Sequence, residues 1–291
     1  MPWDGVRRII WAKHFDEMEI IGNRHFSIGV PIKSDPEFKA MLFAAGITHI
    51  DGNKSIDYIY KRNREDYLAA FDDDVRCPAG SAKELTLHIG EMADSYSRKL
   101  SAGRFKPKPT SGQAYAANVL IRMRSTFHGI NQLVLGGLAL EAESVIRQGL
   151  EQCAWALAVM KLDDIAHIDQ ISPTKSIPLL KAPFPGAGRI YGQLSDSAHA
   201  SLSSQERFFD FHEGKISISI RDTENCREAL IYSVILLDAY AHISESLLAD
   251  MEHETDERMT RHKGHKYDLI ERYRDLFTGL GHSIYGSWRG A

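Results

Sequence analysis

The sequence predicts a mainly α-helical protein, with a helical bundle over 112–291 and a smaller N-terminal region, 1–105, that contains a short β-hairpin. Three observations predict this. Apolar residues recur at three- and four-residue spacing from Ala82 onward. The run Phe105-Lys106-Pro107-Lys108-Pro109 cannot continue a helix, so it divides two such stretches. Gly136-Gly137 interrupts one long apolar stripe, as the turn of an αα-hairpin does.

The first fifty residues read differently from the rest. Glu19-Ile20-Ile21 and Phe26 to Val30 flank Gly22-Asn23, which suits a tight hairpin turn. Asp35 followed by Pro36 and Glu37 is a helix start, with an N-cap and a proline at the first helical position. Further helices are expected over 55–71 and 82–100. In the bundle, Ala116, Val119, Leu120, Met123, Phe127, Ile130 and Val134 form one face of a helix over 114–135. The return helix, 138–160, should bury Leu138, Ala142, Val145, Gly149, Ala156 and Met160. A loop with Pro173, Pro178, Pro183 and Pro185 leads to a short helix near 190–200 and a small hairpin around Glu213-Gly214. The segment 223–252 is apolar nearly all round at its centre, which marks a helix buried among others. A last amphipathic helix is expected over 266–280.

Composition narrows the class of protein. The chain has 291 residues, 43% hydrophobic and 25% charged, with a formal net charge of −4. These proportions exclude wholesale disorder and a uniformly basic nucleic-acid coat. Cys77, Cys153 and Cys226 form no Cys-x-x-Cys pair, so neither a zinc ribbon nor a secreted disulfide framework is indicated. No apolar signal region follows Met1, and the apolar run from Ala229 to Ile243 is too short to span a bilayer. The expectation is a cytoplasmic protein with no membrane partner.

Two groups of residues could carry chemistry. Glu143, Arg147, Glu151 and Trp155 recur every four residues and so form one helix stripe. Either the stripe is a set of stabilising ion pairs, or it faces a cleft where Arg147 holds an anion and Glu151 orients it. The second group is Tyr191-x-x-Leu194-Ser195-x-x-x-His199, whose Ser195 and His199 lie one turn apart. With no Gly-x-Ser-x-Gly elbow, a serine hydrolase is not indicated.

Together, the Arg147-x-x-x-Glu151 helix, the Tyr191-x-x-Leu194-Ser195-x-x-x-His199 helix and the long apolar helix resemble an uncharacterised bacterial family of helical proteins. That family in turn is similar to the HEPN (higher eukaryotes and prokaryotes nucleotide-binding) bundles. The resemblance covers about residues 112–250. It implies a HEPN-like helical bundle and a homodimer. It also implies a nucleic-acid-directed effector, a metal-independent ribonuclease of the kind found in toxins and phage defence. On that reading Arg147 holds a phosphate, His199 transfers the proton, and Glu151 and Tyr191 position them. The alternative is a non-catalytic interaction or dimerisation protein in which Arg147 and Glu151 are a structural ion pair. The Arg-x4–6-His motif of HEPN ribonucleases is not met at His199, because Arg189 precedes it by ten positions. Arg122-x5-His128 does fit the spacing, but about three such matches are expected by chance.

Charge is unevenly spread. Residues 95–140 hold Arg98, Lys99, Arg104, Lys106, Lys108, Arg122 and Arg124 and no acid, and 170–195 adds Lys175, Lys181 and Arg189. By contrast, 222–257 holds ten acids against Arg227 alone. A basic face could attract RNA or another phosphate-bearing ligand, or an acidic helix of a second subunit. Asp238 and His242, one turn apart in the most apolar segment, read as a buried pair. His253, His262 and His265 have no standard zinc spacing, so no metal or cofactor is expected.

Overall fold

A computed structural model describes residues 18–23, 25–31, 34–71, 80–102, 109–184, 186–198, 205–206, 209–212, 215–218, 226–251, 269 and 272. The chain is mainly helical, with a two-stranded antiparallel hairpin near the N-terminus. It forms two compact units, 1–83 and 84–291. The division falls before the proline-rich segment, so most of the helix preceding that segment groups with the later helices.

In the first unit, β1 (Met18–Asn23) and β2 (Phe26–Pro31) form the hairpin. Pairing runs through Asn23↔Phe26, so the reversal comes after Asn23 and not at the expected Gly22-Asn23. Gly22 is needed for another reason: a Cβ there would run into the Phe26 carbonyl of the opposite strand. Helix α1 (Pro36–Asp51) starts as expected, with the Asp35 carboxylate accepting from the Phe38 N–H at 2.8 Å. It ends at Gly52, whose φ of 65° suits a residue without a Cβ. Helix α2 (Ile56–Phe71) packs aromatic bulk against it: the Phe43 ring meets Phe26, Tyr67 and Phe71 at 5.1–5.8 Å. Ile21, Val30, Ala40 and Phe71 are the buried centre of this unit.

The second unit is built on four long helices. These are α3 (Gly80–Ala102), α4 (Ser111–Leu135), α5 (Ala139–Val159) and, later in the chain, Cys226–Met251. Helix α4 opens with a capping box between Thr110 and Gln113. It closes with the Leu138 N–H bonded to the Leu133 carbonyl around Gly137 at φ 75°, a Schellman turn. The expected αα-hairpin is therefore present, and its buried stripe on α4 is the one the spacing marks except at Val119, which is only half-buried. On α5, Ala142, Gly149 and Ala156 are buried as expected, and so is Met160 just past its end, whereas Leu138 and Val145 are only half-buried. Ile146, Leu150 and Cys153 belong to the buried face as well.

Between α5 and that helix the chain is less loop-like than its prolines suggest. Helices α6 (Ile165–Asp169) and α7 (Pro173–Ser176) and the 3₁₀ turn Ile177–Lys181 come before α8 (Ala187–Ala198). Proline stops a helix only from its second turn on. At a first-turn position it is pre-set for the helix, and Ser172 caps α7 with Pro173 in that place. Strands β3 (Phe209–His212) and β4 (Lys215–Ile218) form the second expected hairpin. The last long helix, α9 (Cys226–Met251), is buried at every residue from Ala229 to Ala241, because other helices surround its middle. Its Tyr240 ring touches Tyr96 of α3 and Phe127 of α4 at 5.8 and 5.5 Å. Gly149 of α5 faces Leu236 of α9 so closely that a Cβ would collide with it. Among the described residues, no helix is long and apolar enough to cross a membrane. The expected helix over 266–280 lies outside the described residues apart from Leu269 and Arg272.

Candidate functional site

The polar residues that come together are Arg147 and Glu151 of α5 and Tyr191 of α8. Spacing of four puts the first two on one face of α5. Helix α8 turns Ala187, Ile190 and Leu194 into the core, which leaves Tyr191 beside that line. Its hydroxyl accepts from Arg147 Nε at 3.3 Å and Nη2 at 3.2 Å, and donates to Glu151 Oε1 at 2.5 Å. Arg147 Nη2 is also 3.4 Å from that carboxylate oxygen, with the two side chains 26% and 20% exposed. The guanidinium carbon lies over the Tyr191 ring, 5.3 Å from its centroid, so the arginine meets the ring as well as its hydroxyl. The hydrogen bonds that Arg147 donates to Tyr191, followed by the Tyr191 and Glu151 charges, outweigh burial and hold the Arg147 pKa above its ordinary value.

This arrangement is close to self-satisfied. The Tyr191 oxygen uses its proton and both lone pairs, and the Arg147 charge is offset by Glu151. Arg147 Nη1 has no partner among the described residues, which leaves one amino group able to meet an anion. The other ends of the stripe are structural. Glu143 is buried, and Trp155 Nε1 donates to the Ile171 carbonyl at 3.1 Å, tying α5 to the segment before α7. Ser195 is not a poised nucleophile, since its hydroxyl donates back to the Tyr191 carbonyl at 2.7 Å within α8. His199 lies outside the described residues.

The basic residues are on different helix contacts. Arg124 of α4 meets Asp94 of α3 at 2.7 Å, and Arg98 meets the same carboxylate at 3.1 Å. The Lys99 ammonium is 5.1 Å from the Tyr96 ring centroid, and Arg122 is exposed. Arg104, Lys106 and Lys108 lie outside the described residues. Arg124 faces α3 while Arg147 faces α8, so the cations split between two sides of the α4–α5 pair. Asp94 is the residue that counting charge missed. It stands one position before the acid-free window, and its i,i+4 relation to Arg98 was the available signal.

Other expected sites change character in the fold. Asp238 is buried, but His242 is exposed, with its ring edge against Phe184, so the two are not a buried pair. The reason is helix geometry: successive turns drift, and His242 falls on a face of α9 that the described residues leave open. A pocket between α5, α8 and α9 is apolar, lined by Leu150, Phe184, Ile190 and Ile235 among others, with room for about one water molecule. Among the described residues no group of three His, Cys, Asp or Glu could hold a metal. His253, His262 and His265 lie outside them. Compared with protein-family models, curated proteins and solved structures, the chain matches none.

Proposed function

We propose that this chain acts by binding, as a helical interaction protein in which Arg147 and Glu151 are a structural pair. The observation that supports this is the Tyr191 hydroxyl, engaged by both residues at once. A phosphate clamp needs donors aimed outward and a net positive field. Here two of the three guanidinium nitrogens point at Tyr191, and Glu151 repels an approaching anion. The cluster instead pins α8 to α5 and so sets the surface that both helices present.

A second reading is a nucleic-acid-directed, metal-independent ribonuclease, HEPN-like in type, with Arg147 on a phosphate and His199 as acid and base. It is favoured by one observation, the unengaged Nη1 of a quarter-exposed arginine. Incubating purified protein with total RNA separates the two. The binding reading expects wild type, Arg147→Ala and His199→Ala all to leave RNA profiles equal to a buffer control. Cleavage by wild type that is lost in both variants would replace it with the ribonuclease reading.

A further inference from the structure

We infer that the outer face of α4, with the adjoining end of α3, is a surface for single-stranded nucleic acid on which Tyr115 stacks a base and Arg122, Lys99 and Arg98 meet phosphates. This rests on the binding reading and names the partner. Helix α4 buries Ala116, Leu120, Met123 and Phe127, so its opposite face is set by periodicity. That face carries Tyr115, Asn118, Arg122 and Ser125, all exposed. Tyr115 is 43% exposed. Its ring has no aromatic, cationic or hydrogen-bond partner among the described residues, and its exposed part is open to a ligand. Arg122 follows two turns later, about 10 Å along the axis.

The neighbouring helix brings further cations to the same level. The Ser97 hydroxyl donates to the Ile121 carbonyl at 3.2 Å, which fixes this part of α3 beside the Arg122 turn of α4. Next to it Arg98 is 74% exposed, and Lys99 also points to solvent. Asp94 offsets part of this charge by pairing with Arg98 and Arg124. At the start of α4 the Asp163 carboxylate is held by the Ser111 N–H. Lys99 and Arg122 have no ion pair among the described residues. Arg98, Lys99, Arg122 and Arg124 outnumber Asp94 and Asp163, so these residues together carry positive charge beside one exposed ring. An unpaired strand fits that combination, because stacking needs a free base face while the cations follow the backbone. A duplex offers the phosphates and withholds the base.

The experiment is fluorescence anisotropy with a labelled twelve-nucleotide single strand, as RNA and as DNA, and with a duplex of equal length. Wild type should prefer either single strand to the duplex, and binding should weaken as salt rises. Tyr115→Ala should weaken binding by about tenfold while Tyr115→Phe keeps it, as a stacking role requires. Arg122→Gln should weaken all single strands alike and lower the salt slope by about 0.7. Both positions are exposed, so circular dichroism should show unchanged folding. Equal affinity for duplex, or an unchanged Tyr115→Ala, overturns the inference while binding itself stands. No binding by wild type also overturns it. Displacement of the strand by poly-glutamate equally from wild type and Tyr115→Ala would mean an acidic protein partner, and overturns it too. Cleavage of the strand would instead refute the non-catalytic reading, and the Tyr115 comparison would still decide stacking.

Discussion

Tyr191 is where one atom joins two helices. Removing its oxygen leaves the Glu151 carboxylate short of a donor and two Arg147 N–H groups short of an acceptor, in a site only partly open to water. Tyr191→Phe is therefore expected to cost about 1–2 kcal/mol, read as a lower urea midpoint. A cycle with Glu151→Gln should give a coupling of roughly 0.5–1 kcal/mol, reduced by the solvent that reaches the pair. Additive variants would mean that these hydrogen bonds do not persist in solution. Arg147 and Glu151 were legible as neighbours from spacing alone. Tyr191 was legible as part of a motif, but its partners were not, because they stand about forty residues away and only the packing of α8 on α5 joins them.

Helix contacts set the next scale, and two glycines separate contact from propensity. Gly149 lets α9 approach α5, and a side chain there meets Leu236 and then Met123. Gly149→Val should destabilise by about 1–3 kcal/mol through overpacking. Gly192 lies on the exposed side of α8, and a Cβ at that position would have nothing within 4 Å, so Gly192→Ala should stabilise by about 0.5–1 kcal/mol. Thermal melts of the pair give opposite signs if the helix faces are assigned correctly. The spacing marked Gly149 as a core position but could not say which helix it faced. Similarly, the prolines after α5 read as loop, while first-turn placement makes two of them, Pro173 behind its serine cap and Pro178, helix starts.

At the scale of the whole molecule, the centre of the bundle carries buried acidic protons. Burial pushes the Cys153 thiol from an ordinary value of 9.0 up to about 12. Burial, and then the hydrogen bond to Glu245 at 2.6 Å, pushes Tyr96 well above its usual range, and burial does the same for Tyr240. Above pH 9 the unfolded thiol ionises while the folded one keeps its proton, so the unfolded state binds fewer protons and stability falls as pH rises. The Cys153 contribution is intact below about pH 9 and is lost towards pH 12, with a slope of up to about 1.4 kcal/mol per pH unit. The buried tyrosines act in the same direction from about pH 10. Urea midpoints at pH 7, 9 and 10.5 should drop only in the last interval, and a flat profile would mean these groups are not buried.

By itself the sequence determined the helical class, the αα-hairpin at Gly136-Gly137, both β-hairpins and the burial of α9. Each of these depends on local period and local turn chemistry, which a chain carries in its order of residues. The tertiary structure alone decided which charges count. Asp94 reaches across to Arg124, Tyr191 occupies Arg147, and His242 faces outward while Asp238 faces in. Electrostatic interaction depends on distance in space and on the water excluded around it, and neither follows from position along the chain. The basic stretch read from composition is accordingly divided in the fold, with Arg124 turned to its carboxylate on α3 and Arg122 left to solvent on the outer face of α4.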